Sequence, residues 1–197
     1  MLSRGLWRGR PEQQKPYPLS DPFFMGFYLY LFFSLGAILF LLVVIFAFGL
    51  PYFKGAPYAT TTKTKARQAV SLLASRMKKG RVADLGSGDG RLVIALAQQG
   101  YRAHGYEINP FLFFFSRKRL KKYRLDNRAG ISRKNYWRED LSGYQGIVVF
   151  GVFYIMPQLE EKLKQELKPG AVVISNYFQF PDWKPAEKKN GLYVYIR

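Results

Sequence analysis

The residues of this chain best suited to do chemistry stand between positions 84 and 107. Asp84-Leu85-Gly86-Ser87-Gly88-Asp89-Gly90 sets three glycines at alternate positions behind an acid, after the short apolar run 81–85 and before the apolar-periodic run 91–99. Glycines at such a turn let the backbone bend tightly and approach a ligand with no Cβ in between. The carboxyl end of a strand is also where open α/β sheets bind nucleotides. A dinucleotide fingerprint requires Gly-x-Gly-x-x-Gly, and counted from Gly86 and Gly88 the sixth position is Arg91. The order Asp-x-Gly-x-Gly-x-Gly instead suits a nucleoside that carries a cation in place of phosphates. S-adenosylmethionine is such a ligand: its sulfonium and amino-acid tail make a carboxylate like Asp84 a favourable neighbour. Glu107, seventeen residues after Gly90 at the end of the next apolar run, is spaced to accept hydrogen bonds from both ribose hydroxyls.

Composition narrows the alternatives. The 197 residues contain no Cys and one His, His104. That excludes a disulfide framework and a thiolate zinc site, leaves no imidazole for a Ser-His-Asp arrangement, and makes a metal an unexpected cofactor. His104 itself reads as a packing residue on a strand.

The elements that must position the glycine turn alternate along the chain. Helices are expected at 67–79 and 156–167, both amphipathic, and at 91–99 (closed by Gly100) and 110–124 (capped by Asn109, with Pro110 first). Apolar strands are expected at 81–85, 102–108, 147–150, 171–175 and 192–196. Strands and helices in turn imply a parallel sheet covered on both faces.

On these residues, 57–197 resembles the class I S-adenosylmethionine-dependent methyltransferases. More narrowly it resembles the membrane-anchored lysine N-methyltransferases of the adenine nucleotide translocase and of the ATP synthase c-subunit, with their prokaryotic relatives. The stretches that carry the likeness are VADLGSGDGRLVIALAQQGYRAHGYEINP (82–110), the Phe-rich segment with SRKR, VVFGV (148–152) with PQLEEKLKQEL, and FPDWKP (180–185). The resemblance implies an α/β, Rossmann-like sheet with helices on both faces, preceded by a single transmembrane helix. Carried over by position, Asp84, Gly86, Ser87, Gly88 and Gly90 would shape the methionine end of the cofactor site, and Glu107 would hold the ribose. Asn135 stands where the family has an acid near the adenine, and its carbonyl oxygen can accept from the adenine amino group. Only one late strand is legible after residue 180, so the family's final hairpin is expected to be incomplete.

Ahead of this domain, residues 22–53 carry no charge. As a helix they would run about 48 Å at ~1.5 Å per residue, against a hydrocarbon core of ~30 Å. A tilted span near 24–48 fits, with Tyr28 and Tyr30 at one end and Tyr52 and Tyr58 at the other as interfacial anchors. A cleavable signal peptide has a far shorter apolar core. Both flanks are basic, and the longer basic run after the span places the catalytic domain on the cytoplasmic or matrix-like side. Residues 1–21, rich in Pro, Gln and Arg, read as a disordered tail, which divides the chain into 1–21, 22–53 and 54–197.

Methyl transfer to lysine requires a neutral amine, an in-line arrangement and exclusion of water, with no dedicated general base. Phe153 and Tyr154 after one strand, and Asn176 and Tyr177 after the next, are the candidates to face the methyl group; a simple packed rim is the equal alternative. The net charge is +18, from 31 Lys and Arg against 13 Asp and Glu. Between 115 and 138 lie ten Lys and Arg against Asp126 alone. Membrane lipid or a membrane-embedded partner is the favoured reading of that stretch, ahead of solubility and of nucleic acid. The Phe run 111–115 is expected to be mainly core. The sequence thus leads to a membrane-anchored methyltransferase acting on a lysine of a membrane protein. The alternatives are a lipid or quinone methyltransferase at the membrane surface and a cofactor-binding scaffold without turnover.

Overall fold

The computed structural model describes residues 22–45 and 62–197. The tail 1–21, residues 46–53 of the expected anchor and the tyrosines at 52 and 58 lie outside the described residues. The chain divides into two compact units near residue 43. The first holds helix α1 (Pro22–Val44), which is apolar on every side. Its stretch Phe24–Val44 has a mean hydropathy of 2.5 and no buried portion. By length and composition it can cross a bilayer.

The second unit is a seven-stranded sheet with strand order β3-β2-β1-β4-β5-β7-β6. Its strands are β1 (Arg81–Leu85), β2 (Arg102–Tyr106), β3 (Ala129–Ser132), β4 (Gly146–Val149), β5 (Val172–Asn176), β6 (Glu187–Lys189) and β7 (Leu192–Ile196). The first five are parallel, and β7 runs antiparallel to both β5 and β6. The helices are α2 (Lys63–Ala74), α3 (Arg91–Gln98), α4 (Pro110–Lys122) and α5 (Met156–Glu166). One face of the sheet packs Val82, Val148 and Ile174 against Leu73 of α2, Leu96 of α3 and Leu120 of α4. The other packs Ala83, Ile147 and Val173 against Leu159 and Leu163 of α5. Both faces are covered, as the near-continuous apolar strands require.

Three expectations change. The first helix of this unit starts earlier, at Lys63, because the Thr62 side chain accepts the Lys65 N–H at 3.2 Å and caps it; apolar periodicity alone sets the start four residues later. The terminal hairpin is present: the charged β6 pairs with β7 across Asn190-Gly191, both at positive φ (51° and 73°) as a tight two-residue turn requires. And the Phe run is not core. Phe111, Phe114 and Phe115 are 55%, 64% and 62% exposed, with only Phe113 of the run's rings against the core.

The FPDWKP segment also finds its place. Buried Glu160 of α5 accepts the Asp182 N–H at 3.0 Å and is paired with Lys164. This holds Phe180 and Trp183 against Tyr195, at 4.8 and 5.3 Å between ring centres.

Candidate active site

The glycine loop is fastened to the neighbouring strand by its backbone. The N–H groups of Gly86 and Ser87 both donate to the Tyr106 carbonyl, at 3.0 and 2.9 Å. Gly86 (φ +86°) faces open space, with nothing within 4 Å of where a Cβ would stand. Gly90 (φ +75°) begins α3 in the left-handed conformation, and a Cβ there would meet Ser116 at 2.9 Å and Ile131 at 3.0 Å. The two glycines therefore serve different ends: the first keeps an outer surface bare, the second lets the loop close onto α4 and β3.

Glu107, just beyond β2, spans the gap between this loop and α4. Its Oε2 accepts the Gly88 N–H at 2.8 Å and its Oε1 accepts the Asn109 N–H at 2.8 Å. Asn109 in turn caps α4, its Oδ1 accepting from Phe111 at 2.9 Å and Leu112 at 3.2 Å. Burial raises the Glu107 pKa, opposed by the backbone N–H groups of Asn109, Gly88 and Ile108. Each carboxylate oxygen keeps further acceptor capacity after one such bond. Asp84, in β1 beneath the loop, is 3% exposed, and its pKa is raised to about 8 by burial first, then by the charges of Glu107 and Asp89. An incoming cation favours the ionised form of such a buried acid and draws its pKa back down.

Asp89 forms a clamp that sequence reasoning missed. It pairs with Arg91 at 2.7 Å and with Arg119 of α4 at 2.6 Å, and Arg119 also donates to the Asp89 carbonyl at 3.0 Å. Burial acts to raise its pKa, but the Arg91 hydrogen bonds and the two guanidinium charges outweigh that and lower it. Gly105 was also missed. A Cβ there would lie 2.6 Å from the Ser87 Oγ, so a bare position on β2 is what lets Ser87 pack beneath the loop. Ser87 contributes to the site through backbone geometry; its Oγ is buried with no hydrogen-bond partner among the described residues.

The remaining candidates lie at the ends of β3, β4 and β5. Asn135 is exposed, and its Oδ1 accepts the Trp137 N–H at 3.1 Å to cap a short 3₁₀ turn. Of the oxygen assigned to the adenine, one lone pair is thus engaged locally. Phe153 and Tyr154 occupy a 3₁₀ turn after β4 and are 70% and 54% exposed. Phe153 approaches Phe178 at 6.5 Å between ring centres, which joins the loops after β4 and β5. Tyr136, whose pKa is pushed up to about 12 by burial and then by Tyr154, extends this aromatic rim. Tyr177 is exposed at φ +64°, a strained conformation for an aromatic residue, and lies under Lys65 at 4.9 Å. Asn176 is 5% exposed, and its Oδ1 has no partner among the described residues.

His104 is half-buried, with Nε2 3.0 Å from the Ser132 Oγ. Burial, then the Arg81 and Lys134 charges, lower its pKa, which fits a packing residue. Two surface clefts of about 540 and 290 Å³ lie at the other ends of the strands, against residues 74–79 with Tyr101 and against Arg81, Arg102 and Arg128. Neither is lined by the glycine loop or by Glu107; the arrangement of donors and acceptors identifies the site.

The family model of the ANTKMT methyltransferase domain matches residues 84–187. The chain is 40% identical over 150 residues to the ATP synthase C-subunit lysine N-methyltransferase of Xenopus laevis, across 73% of this chain and 66% of that protein. It is 39% identical over 132 residues to the adenine nucleotide translocase lysine N-methyltransferase of Mus musculus, across 66% of this chain and 56% of that protein. It thus spans under two thirds of the length of these two relatives. Among solved structures it is similar to an RNA methyltransferase from Salinibacter ruber in complex with S-adenosyl-L-homocysteine. The TM-score is 0.63 at 28% identity, covering 70% of this chain and 92% of that one.

Proposed function

The chain belongs to the ANTKMT methyltransferase family, and from that membership we propose that it is a membrane-anchored protein-lysine N-methyltransferase. It uses S-adenosylmethionine and acts on a lysine of a membrane protein. One observation carries the reading: the Glu107 carboxylate, tied to Gly88 and Asn109, stands beside a loop whose Gly86 is open on its outer side, with Asp84 buried below. A ribose diol fits the carboxylate, and the ammonium end of a zwitterionic amino-acid tail fits the loop above Asp84. When bound, S-adenosylmethionine supplies an electrophilic methyl group on sulfur.

The chain's own residues have three tasks. Glu107 and the loop backbone fix the donor. The aromatic rim of Phe153, Tyr154 and Tyr177, exposed in the chain alone, would be covered by a docked target and so favour the neutral amine by desolvation, while its ring faces suit the methylated ammonium that forms. Asn176, at the end of β5 next to Tyr177, is the polar side chain of this rim suited to orient the target amine. None of these residues needs to act as a general base. Helix α1 supplies the anchor, and the lysine-methyltransferase names of the similar proteins support the choice of substrate class.

Incubation of the full chain with methyl-labelled S-adenosylmethionine and membranes tests this. Label in a protein band that survives acid hydrolysis as methyllysine is the expected result. Label in the organic extract would transfer the assignment to a lipid or quinone, and bound donor with no transfer would leave a scaffold.

A further inference from the structure

Helix α4 has two unlike sides. Ser116 and Leu120 are buried on one, and Phe113 packs with them against the core. On the other, Phe111, Phe114 and Phe115 are more than half exposed, and Lys118 and Lys122 are exposed after them. At ~3.6 residues per turn, positions 111, 114, 115, 118 and 122 share an arc of roughly 100°. The first turn and a half of that arc is aromatic and the remainder is basic. Arg117, Lys121 and Arg124 flank it, all exposed.

Exposed phenylalanines in one arc beside lysines are the composition of a helix lying in a lipid interface. The rings enter the acyl boundary, and the lysine stems extend to the headgroups. Nucleic acid, which basic helices with aromatics also bind, is an outcome that the test below separates. The position of the arc adds a consequence. The aromatic end of α4 follows Asn109, which Glu107 holds, so it lies at the same ends of the strands as the glycine loop and the rim around Phe153 and Tyr177.

We propose that the Phe111–Phe114–Phe115 face of α4 is a membrane-docking surface for an anionic bilayer, seating the strand ends that carry the candidate active site against the lipid. This rests on the membrane-anchored reading and adds to it. A tethered domain samples many orientations, whereas a docked one presents its site at the depth of a lysine near the membrane surface.

Because the chain has no Cys, a single thiol can be introduced cleanly. Full chain carrying Phe114→Cys, labelled with an environment-sensitive fluorophore, is reconstituted in nanodiscs of phosphatidylcholine with or without phosphatidylglycerol. Nitroxide-labelled acyl chains serve as quenchers. A Lys168→Cys control reports from the turn before β5, at the other ends of the strands. The expected result is a blue shift and quenching at 114, stronger with phosphatidylglycerol, and neither at 168. Adding Lys118→Gln and Lys122→Gln lowers the docked-to-undocked ratio about 30-fold, from about fivefold per basic residue near an anionic surface.

Co-elution with the anionic discs without quenching at 114 overturns the docking surface and leaves the anchor intact, whereas failure to co-elute overturns both. A blue-shifted label that lipid nitroxides do not quench shows that α1 or a second copy covers the face. A label that answers to RNA and not to lipid assigns it to nucleic acid. Both results overturn the proposal.

Discussion

Replacing Asp84 by Asn should stabilise the donor-free protein and abolish donor binding, with the stabilisation growing as pH rises. Asp84 has an ordinary pKa of 3.8 and a folded-state pKa of about 8, set mainly by burial. Because the folded value is the higher one, ionisation opposes folding. The penalty is absent below pH 3.8, grows by about 1.36 kcal/mol per pH unit between there and about 8, and is constant above. It amounts to about 1–2 kcal/mol at pH 5 and about 4 kcal/mol at pH 7 on that slope. Asn is the neutral isostere and escapes it at every pH.

At ~2–4 °C per kcal/mol for a domain of this size, Asp84→Asn should raise the Tm by about 3–6 °C at pH 5 and about 8–16 °C at pH 7. His104 titrates alike in both proteins and cancels. The assay is thermal unfolding of the full chain in detergent, followed by tryptophan fluorescence. Calorimetry with S-adenosylhomocysteine and S-adenosylmethionine completes it. The parent should release a proton on binding at pH 7, seen as a dependence of the heat on the buffer's ionisation enthalpy, because the ammonium of the donor's amino-acid tail draws the Asp84 pKa back down. An Asn variant no more stable than the parent at either pH, or one that binds with unchanged affinity, would refute the reasoning.

Other outcomes follow from the same geometry. Gly86→Ala and Gly90→Ala both place an alanine at positive φ, costing about 1–2 kcal/mol, but only Gly90 meets neighbours, Ser116 and Ile131. Gly86→Ala should weaken donor binding with a small Tm loss, and Gly90→Ala should lower the Tm by the larger amount; calorimetry and unfolding on the same samples separate them. Glu107→Gln loses two charge-assisted bonds to the ribose and should weaken donor affinity ~10²–10⁴-fold, at about 1.5–3 kcal/mol per bond. Arg119→Met removes one arm of the clamp on Asp89 and should cost about 1–3 kcal/mol. Asp89 has a lowered pKa, so that loss should be present at neutral pH and shrink as pH falls through the carboxylate range, read as converging unfolding curves. Asn176→Ala should reduce turnover while leaving donor affinity unchanged, measured as methyl transfer against calorimetric Kd.

The sequence alone determined the sheet strands with apolar runs, the glycine turn with its acid at 107, the Asn109-Pro110 start of α4 and the apolar α1. Each is written in local pattern: hydrophobic periodicity, turn chemistry or a run long enough to cross lipid. Strand β3 was not legible because Ala129–Ser132 is short and contains Gly130, and β6 because Glu187–Lys189 has no apolar residue. The one local sign of β6 was Asn190-Gly191, a turn pair whose preference for positive φ makes a two-residue hairpin.

What only the tertiary structure decided are the contacts between residues far apart in the chain. The Arg119 clamp on Asp89 joins positions thirty apart, and Gly105 makes room for Ser87 across neighbouring strands. The exposure of Phe114 and Phe115 follows from α4 turning Ser116 and Leu120 inward, a choice that five consecutive apolar residues do not encode. Local sequence sets which elements form and where they bend. Which side chains meet depends on how the sheet brings those elements together, and that is settled only when the whole domain packs.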